Sequence, residues 1–126
     1  MALIDTLNFY TYTQLHTYSY QTINGTVYFS VRVSVKNSRD LIGRVSPANV
    51  CNVEFDSTAD IEKWECRATL DGQPHGAGIG LLLKSGNAVK QGVSSSFNVT
   101  NTSLTLGDGM YRISVYVQKN NIWYGG

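Results

Sequence analysis

The sequence predicts an all-β protein, an antiparallel β-sandwich of about seven to nine strands. Three observations carry this. The run Met110 to Gln118 alternates strictly, with Tyr111, Ile113, Val115 and Val117 apolar and Arg112, Ser114, Tyr116 and Gln118 free to face water. Asn24-Gly25, the preferred pair for a tight hairpin turn, separates two runs whose apolar positions also alternate. No window has helical periodicity of useful length, and turn residues recur at short intervals.

The amino-terminal hairpin spans about residues 8–36. With Asn24-Gly25 as a type I′ turn, Tyr20 faces Phe29, Tyr18 faces Val31 and His16 faces Val33. Ser19 then meets Ser30 and Thr17 meets Arg32, so one side is apolar and aromatic and the other polar. A slip of one residue would scramble both faces. Tyr10, Tyr12, Gln14, His16, Tyr18 and Tyr20 share one parity, and so long a strand predicts a bend or bulge near Gln14 to His16.

Further strands are expected at Val50 to Phe55 and at Ile61 to Leu70, the latter with Trp64, Cys66, Ala68 and Leu70 inward. Asp71-Gly72-Gln73-Pro74 is a turn by composition. Ile79 to Lys84 follows, with Gly76, Gly78 and Gly80 marking a bulge or a close backbone approach. Ser94 to Thr100 turns Phe97 and Val99 inward and carries no charge, which makes it the candidate edge for pairing in an oligomer. Met110 to Gln118 and the stub Ile122-Trp123-Tyr124 close the chain through Lys119-Asn120-Asn121.

The whole chain bounds the function. Its 126 residues make one domain, 1–126, with a core of its own. Only 15% of residues are charged, against about 25% in ordinary soluble domains. The net charge of +1 comes from scattered Lys and Arg, so no basic face invites nucleic acid. The longest apolar run, Leu81 to Leu83, is too short for membrane insertion. Met1-Ala2-Leu3-Ile4-Asp5 lacks the cationic start and apolar stretch of a secretory signal. The expectation is a protein that acts where it is made or within a particle, or a chain that begins after a removed segment. Cys51 and Cys66 are expected nearly opposite each other on neighbouring strands, as a bridge or, more simply, as two small buried thiols.

No residue set rises to a catalytic or metal site, so the expectation is no catalytic residue, no metal and no cofactor. His16 falls on the inward face and His75 in a Pro-Gly loop, and no serine sits in a nucleophile-elbow pattern. Asp56, Asp60, Glu62 and Glu65 form the one acidic cluster, read as solvated loop acids with a calcium site from Asp56 and Asp60 as the alternative. Asp108 caps its own turn. The acceptor tripeptides at Asn24, Asn98 and Asn101 arise readily by chance in a chain this rich in Asn, Ser and Thr. Aromatics remain as the lead, because eight tyrosines and two tryptophans exceed what one small core needs. Tyr28 and Tyr116 fall on polar faces and Trp123 and Tyr124 close the chain, so these four are the candidate surface-binding residues.

Trp64 within Glu62 to Leu70, the corner Leu104 to Tyr111 and the closing Asn121-Ile122-Trp123 together resemble an immunoglobulin-like or fibronectin type III-like module over about residues 50–124. The resemblance implies that Trp64 fills the core and Tyr111 takes the corner role. Spacing is one residue longer than the common fibronectin pattern, and the Cys-Trp-Cys arrangement of an antibody domain is absent. Trp64-Glu65-Cys66-Arg67-Ala68-Thr69, then a Gly-rich strand, then Gly107-Asp108-Gly109-Met110-Tyr111 is similar to sandwich domains of bacteriophage tail and fibre proteins. Bacterial surface adhesins carry similar Asp-Gly-x-Tyr corners. What the resemblance implies is a non-enzymatic structural or interaction module of a virion, assembled in the host cytoplasm. Its partners would be copies of itself, other virion subunits, or a host-surface glycan or protein. The alternative is a carbohydrate-binding or adhesin domain on a bacterial cell surface.

Overall fold

Alternating β-branched, aromatic and hydroxyl residues build nine strands in residues 9–46, 50–100 and 109–125, which the computed structural model describes. They are β1 (Tyr10–Thr22), β2 (Gly25–Ser38), β3 (Arg44–Val45), β4 (Cys51–Ser57), β5 (Lys63–Leu70), β6 (Leu81–Gly86), β7 (Ser95–Val99), β8 (Tyr111–Lys119) and β9 (Ile122–Gly125). The corner Leu104 to Asp108 and the tripeptide Asn101-Thr102-Ser103 lie outside the described residues.

Two antiparallel sheets result. One has the order β1-β2-β4-β7 and the other β3-β8-β5-β6. β5 runs along one side of β8 from Tyr111 to Gln118. The other side of β8 is shared, with β3 beside Tyr111 and Arg112 and β9 beside Tyr116 to Lys119. Phe29, Val31, Val33 and Val35 of β2 and Val53 and Phe55 of β4 form one half of the core. Trp64, Cys66 and Ala68 of β5 and Tyr111, Ile113, Val115 and Val117 of β8 form the other. Trp64 bridges the layers, with its ring 4.8 Å from Phe55 and 5.7 Å from Phe97. Each side chain of this size stabilises by about 1.5–3 kcal/mol when fully buried.

The amino-terminal hairpin differs from expectation by two residues. Tyr20 faces Val27, Tyr18 faces Phe29 and His16 faces Val31. Ile23 and Asn24 are the turn residues, and Gly25 alone takes positive φ, at 119°. Thr22 stabilises this turn, since its hydroxyl accepts from the Asn24 N–H (3.1 Å) and donates to the Gly25 carbonyl (3.0 Å). A shift of two preserves parity, so the half-buried face stays on Tyr12, Gln14, His16, Tyr18 and Tyr20. The tight turn with two left-handed residues occurs instead at Asn120 (φ 53°) and Asn121 (φ 63°), between β8 and β9.

The bulge near Gln14 to His16 is also displaced. β1 runs without interruption there, and the register shift lies between Tyr10 and Thr11, opposite Asn37 with φ 66°. Leu70, expected inward, is 37% exposed at the end of β5. Cys51 and Cys66 are free, buried thiols in different sheets rather than on neighbouring strands. The chain crosses from the first sheet to the second between them, which the count back from the Asp56–Asp60 loop did not include. β7 is an edge strand, as the uncharged run Ser94 to Thr100 implied. β3 has no counterpart in the sequence reading, because two residues show no alternation.

Candidate functional site

The catalytic question turns on where the titratable groups sit. His16 is half-buried on β1, stacked at 6.1 Å on Tyr18. Burial first, and then the positive charge of Arg112, lower its pKa. His75 lines an open depression of about 320 Å³ with Asp71, Gln73 and Arg112. Among the described residues neither histidine hydrogen-bonds to a carboxylate, and no three His, Cys, Asp or Glu side chains converge to hold a metal ion. No helix there is long and apolar enough to cross a membrane.

Three of the four clustered acids, Asp60, Glu62 and Glu65, accept from backbone N–H groups. Glu62 accepts from the N–H groups of Asn120 (2.7 Å) and Asn121 (3.2 Å), holding the left-handed turn. Asp60 accepts from the Gln91 N–H at 2.8 Å. Glu65 and Arg67 point away from the core and form a two-point ion pair, with Arg67 Nε 2.7 Å from Oε1 and Nη2 3.2 Å from Oε2. The Gly-rich segment before β6 is clamped onto them, since Gly78 N–H donates to Glu65 (2.7 Å) and Arg67 donates to the Gly80 carbonyl (3.0 Å). This clamp was not foreseen. Its signal was there, in two opposite charges two residues apart on the strand face opposite Trp64 and Cys66.

The four aromatic candidates separate. Tyr28 is 71% exposed on the outer side of β2, in the first sheet. Trp123, 37% exposed, sits in the second sheet beside an open depression of about 360 Å³ lined by Lys63, Glu65, Ser85 and Asn87. Tyr124 is half-buried, with its ring 5.5 Å from Tyr18 and 5.2 Å from Phe29. Tyr116 faces outward by parity yet is 2% exposed. Its cross-strand partner is Gly125, and the phenol ring occupies the space a Cβ there would take. Tyr116 is therefore removed from the surface set.

A different surface emerges from the hairpin. β4 pairs only Val31 to Lys36 of β2, and Thr58 extends the contact to Ser30 (2.9 Å). Beyond that point β1 and β2 continue as a two-stranded arm. Its inner side rests on Tyr124 through Tyr18 and Phe29, and the Lys119 ammonium lies 5.7 Å from the centre of the Tyr20 ring. At its tip Ile23 is fully exposed, at 101%. Side-chain hydrogen bonds rung the outer side of the hairpin, with Thr17 to Ser30 (3.0 Å) and Gln21 to Thr26 (2.9 Å) on the arm and Thr13 to Ser34 (3.0 Å) below it. None of the chain's ten basic and nine acidic residues falls between Phe9 and Val31. Compared with known proteins, the chain matches no family model, no curated protein and no solved structure.

Proposed function

We propose that this chain is an immunoglobulin-like module that serves as a non-enzymatic structural and interaction part of a bacteriophage virion or fibre. Strand order supports the fold-level part. β2-β4-β7 follows the A-B-E order of an immunoglobulin sandwich, and β9-β8-β5-β6 follows G-F-C-C′. In that correspondence Trp64 lies on the central C strand and Tyr111 opens the F strand, as the resemblance requires. β1 is then an addition outside the A strand.

The single observation that carries the functional part is the uncharged arm with Ile23 fully exposed at its tip. An uncharged ribbon with an apolar tip suits burial against another surface, since free strand edges are ordinarily blunted by charge. Binding energy would then come from subunit contacts rather than from a pocket. The test is light scattering after size exclusion, followed by a glycan array. A discrete assembly with no glycan binding supports the subunit reading, and a monomer that binds glycans overturns it.

The second reading, a carbohydrate-binding or adhesin domain at a bacterial surface, rests on Trp123. An indole beside Glu65, Ser85 and Asn87 has the apolar face and polar rim on which a sugar ring stacks. Under that reading Trp123→Ala abolishes binding on the array.

A further inference from the structure

We infer that β1 pairs antiparallel with β1 of a second copy, across a two-fold axis through Leu15, joining two first sheets edge to edge. This rests on the subunit reading above and names the partner and the mode. Among the described residues β1 is the outer strand of its sheet and is hydrogen-bonded on one side only, to β2. Natural edges are blunted by lysine, proline, bulges or short length. β1 has thirteen residues, with no Lys, Arg, Asp, Glu, Pro or Gly among them, and its one irregularity is at its first step.

The order of its residues says what pairs there. A two-fold axis at Leu15 sets each residue before it opposite the residue equally far after it. Gln14 then faces His16, Thr13 faces Thr17, Tyr12 faces Tyr18, Thr11 faces Ser19 and Tyr10 faces Tyr20. The strand is a chemical palindrome. Aromatic, hydroxyl and apolar residues each meet their own kind, the pairings that stabilise antiparallel strands. Mirror positions share parity, so both copies keep the same face inward.

The outer face adds a second, independent argument. Thr13 already bonds to Ser34 and Thr17 to Ser30, each at 3.0 Å. A hydroxyl has one donor and two acceptor sites, so each threonine retains capacity for one more bond. Across the axis the rungs join into one line, from Ser34 through Thr13 to Thr17 and Ser30 of the second copy. By symmetry two such lines form, and Leu15, 60% exposed, lies between them opposite Leu15 of its mate. Such an interface is isologous and closes at two copies.

The experiment is sedimentation of the full chain over a concentration series, with two variants. The native chain is expected to reach twice 13.9 kDa. Leu15→Lys sets two ammonium groups face to face and is expected to weaken association at least about tenfold, with melting of the dilute monomer unchanged. Leu15→Cys, on the axis, is expected to form a disulfide-linked dimer on mild oxidation, whereas Thr11→Cys, opposite Ser19, is not. Three results overturn the pairing: a native monomer at every concentration, an assembly whose mass Leu15→Lys leaves unmoved, or Leu15→Cys linking no faster than Thr11→Cys. The second of these leaves the subunit reading standing, whereas glycan binding by a monomer removes that reading as well.

Discussion

Trp64 and Gly86 face each other across β5 and β6, and the indole fills the space a side chain on the glycine would need. A Cβ on Gly86 would come within 2.5 Å of Cε2. The arrangement is an aromatic covering an edge glycine, and it lets Trp64 reach both Phe55 and Phe97 in one rotamer. Gly86→Ala is expected to cost about 1–3 kcal/mol, the usual range for overpacking, because the blocking atoms belong to a locked ring. Urea unfolding followed by tryptophan fluorescence measures both the loss and the displaced indole. Unchanged emission and midpoint would show that the ring has room to move.

Alkaline pH is expected to destabilise the fold. Burial pushes the Cys51 thiol from an ordinary 9.0 to about 11, and burial with the neighbouring Cys51 raises Cys66 also. Tyr18 is raised from 10.0 to about 12, by burial and then by Tyr116. These folded-state values lie above the unfolded ones, so the unfolded chain loses protons first and stability falls as pH rises from 9.0 towards 11. Urea midpoints across this window should decline, and Cys51→Ala should flatten the decline. At neutral pH both thiols should resist Ellman's reagent until the chain unfolds.

Acid acts through the clamp on the second sheet. The Arg67 guanidinium, hydrogen-bonded to Glu65, holds that carboxyl below its ordinary 4.5; burial opposes this, and the Gly78 N–H reinforces it. A depressed folded-state value stabilises above the unfolded one and is lost as pH falls below 4.5. Glu65→Gln should remove part of that acid sensitivity and cost about 1.5–3 kcal/mol at neutral pH, the range for a charge-assisted hydrogen bond. Hydrogen exchange at the Gly78 amide should quicken in the same variant. If it does not, Glu65 is not what holds the segment down.

Ile23 should matter to partners and not to the fold. At 101% exposure it touches no core residue, so Ile23→Asp is expected to change stability by no more than about 0.5 kcal/mol. Under the proposed subunit role, association should weaken in that variant, as read by light scattering. A lowered melting temperature would instead mean that the tip packs against its own chain.

Much of this was legible because a strand's two faces announce themselves. The parity of β1, β2, β5, β7 and β8 follows directly from which residues are apolar, and the core residues Phe29, Trp64, Phe97 and Val115 sit where alternation puts them. Register is harder. Asn24-Gly25 and Ile23-Asn24 turns give the same faces, and only the Thr22 hydroxyl and the positive φ of Gly25 decide between them. Tyr116 shows a second limit. Parity sends it outward, but its exposure depends on Gly125, a residue of a different strand. The Glu65–Arg67 clamp was obscure for the same reason, since the segment it holds is remote in sequence.

The central place of β8 has a consequence for synthesis. Among the described residues the first sheet is complete in sequence once β7 has been made, whereas β5 and β3 still lack β8, the strand that pairs with both. A nascent chain at that stage carries an apolar sheet face that β5 and β6 cover only in part, an aggregation-prone species. Closure of the sandwich is therefore timed by emergence of residues 111–119 from the ribosome, and anything that slows translation before them lengthens the chain's most vulnerable interval.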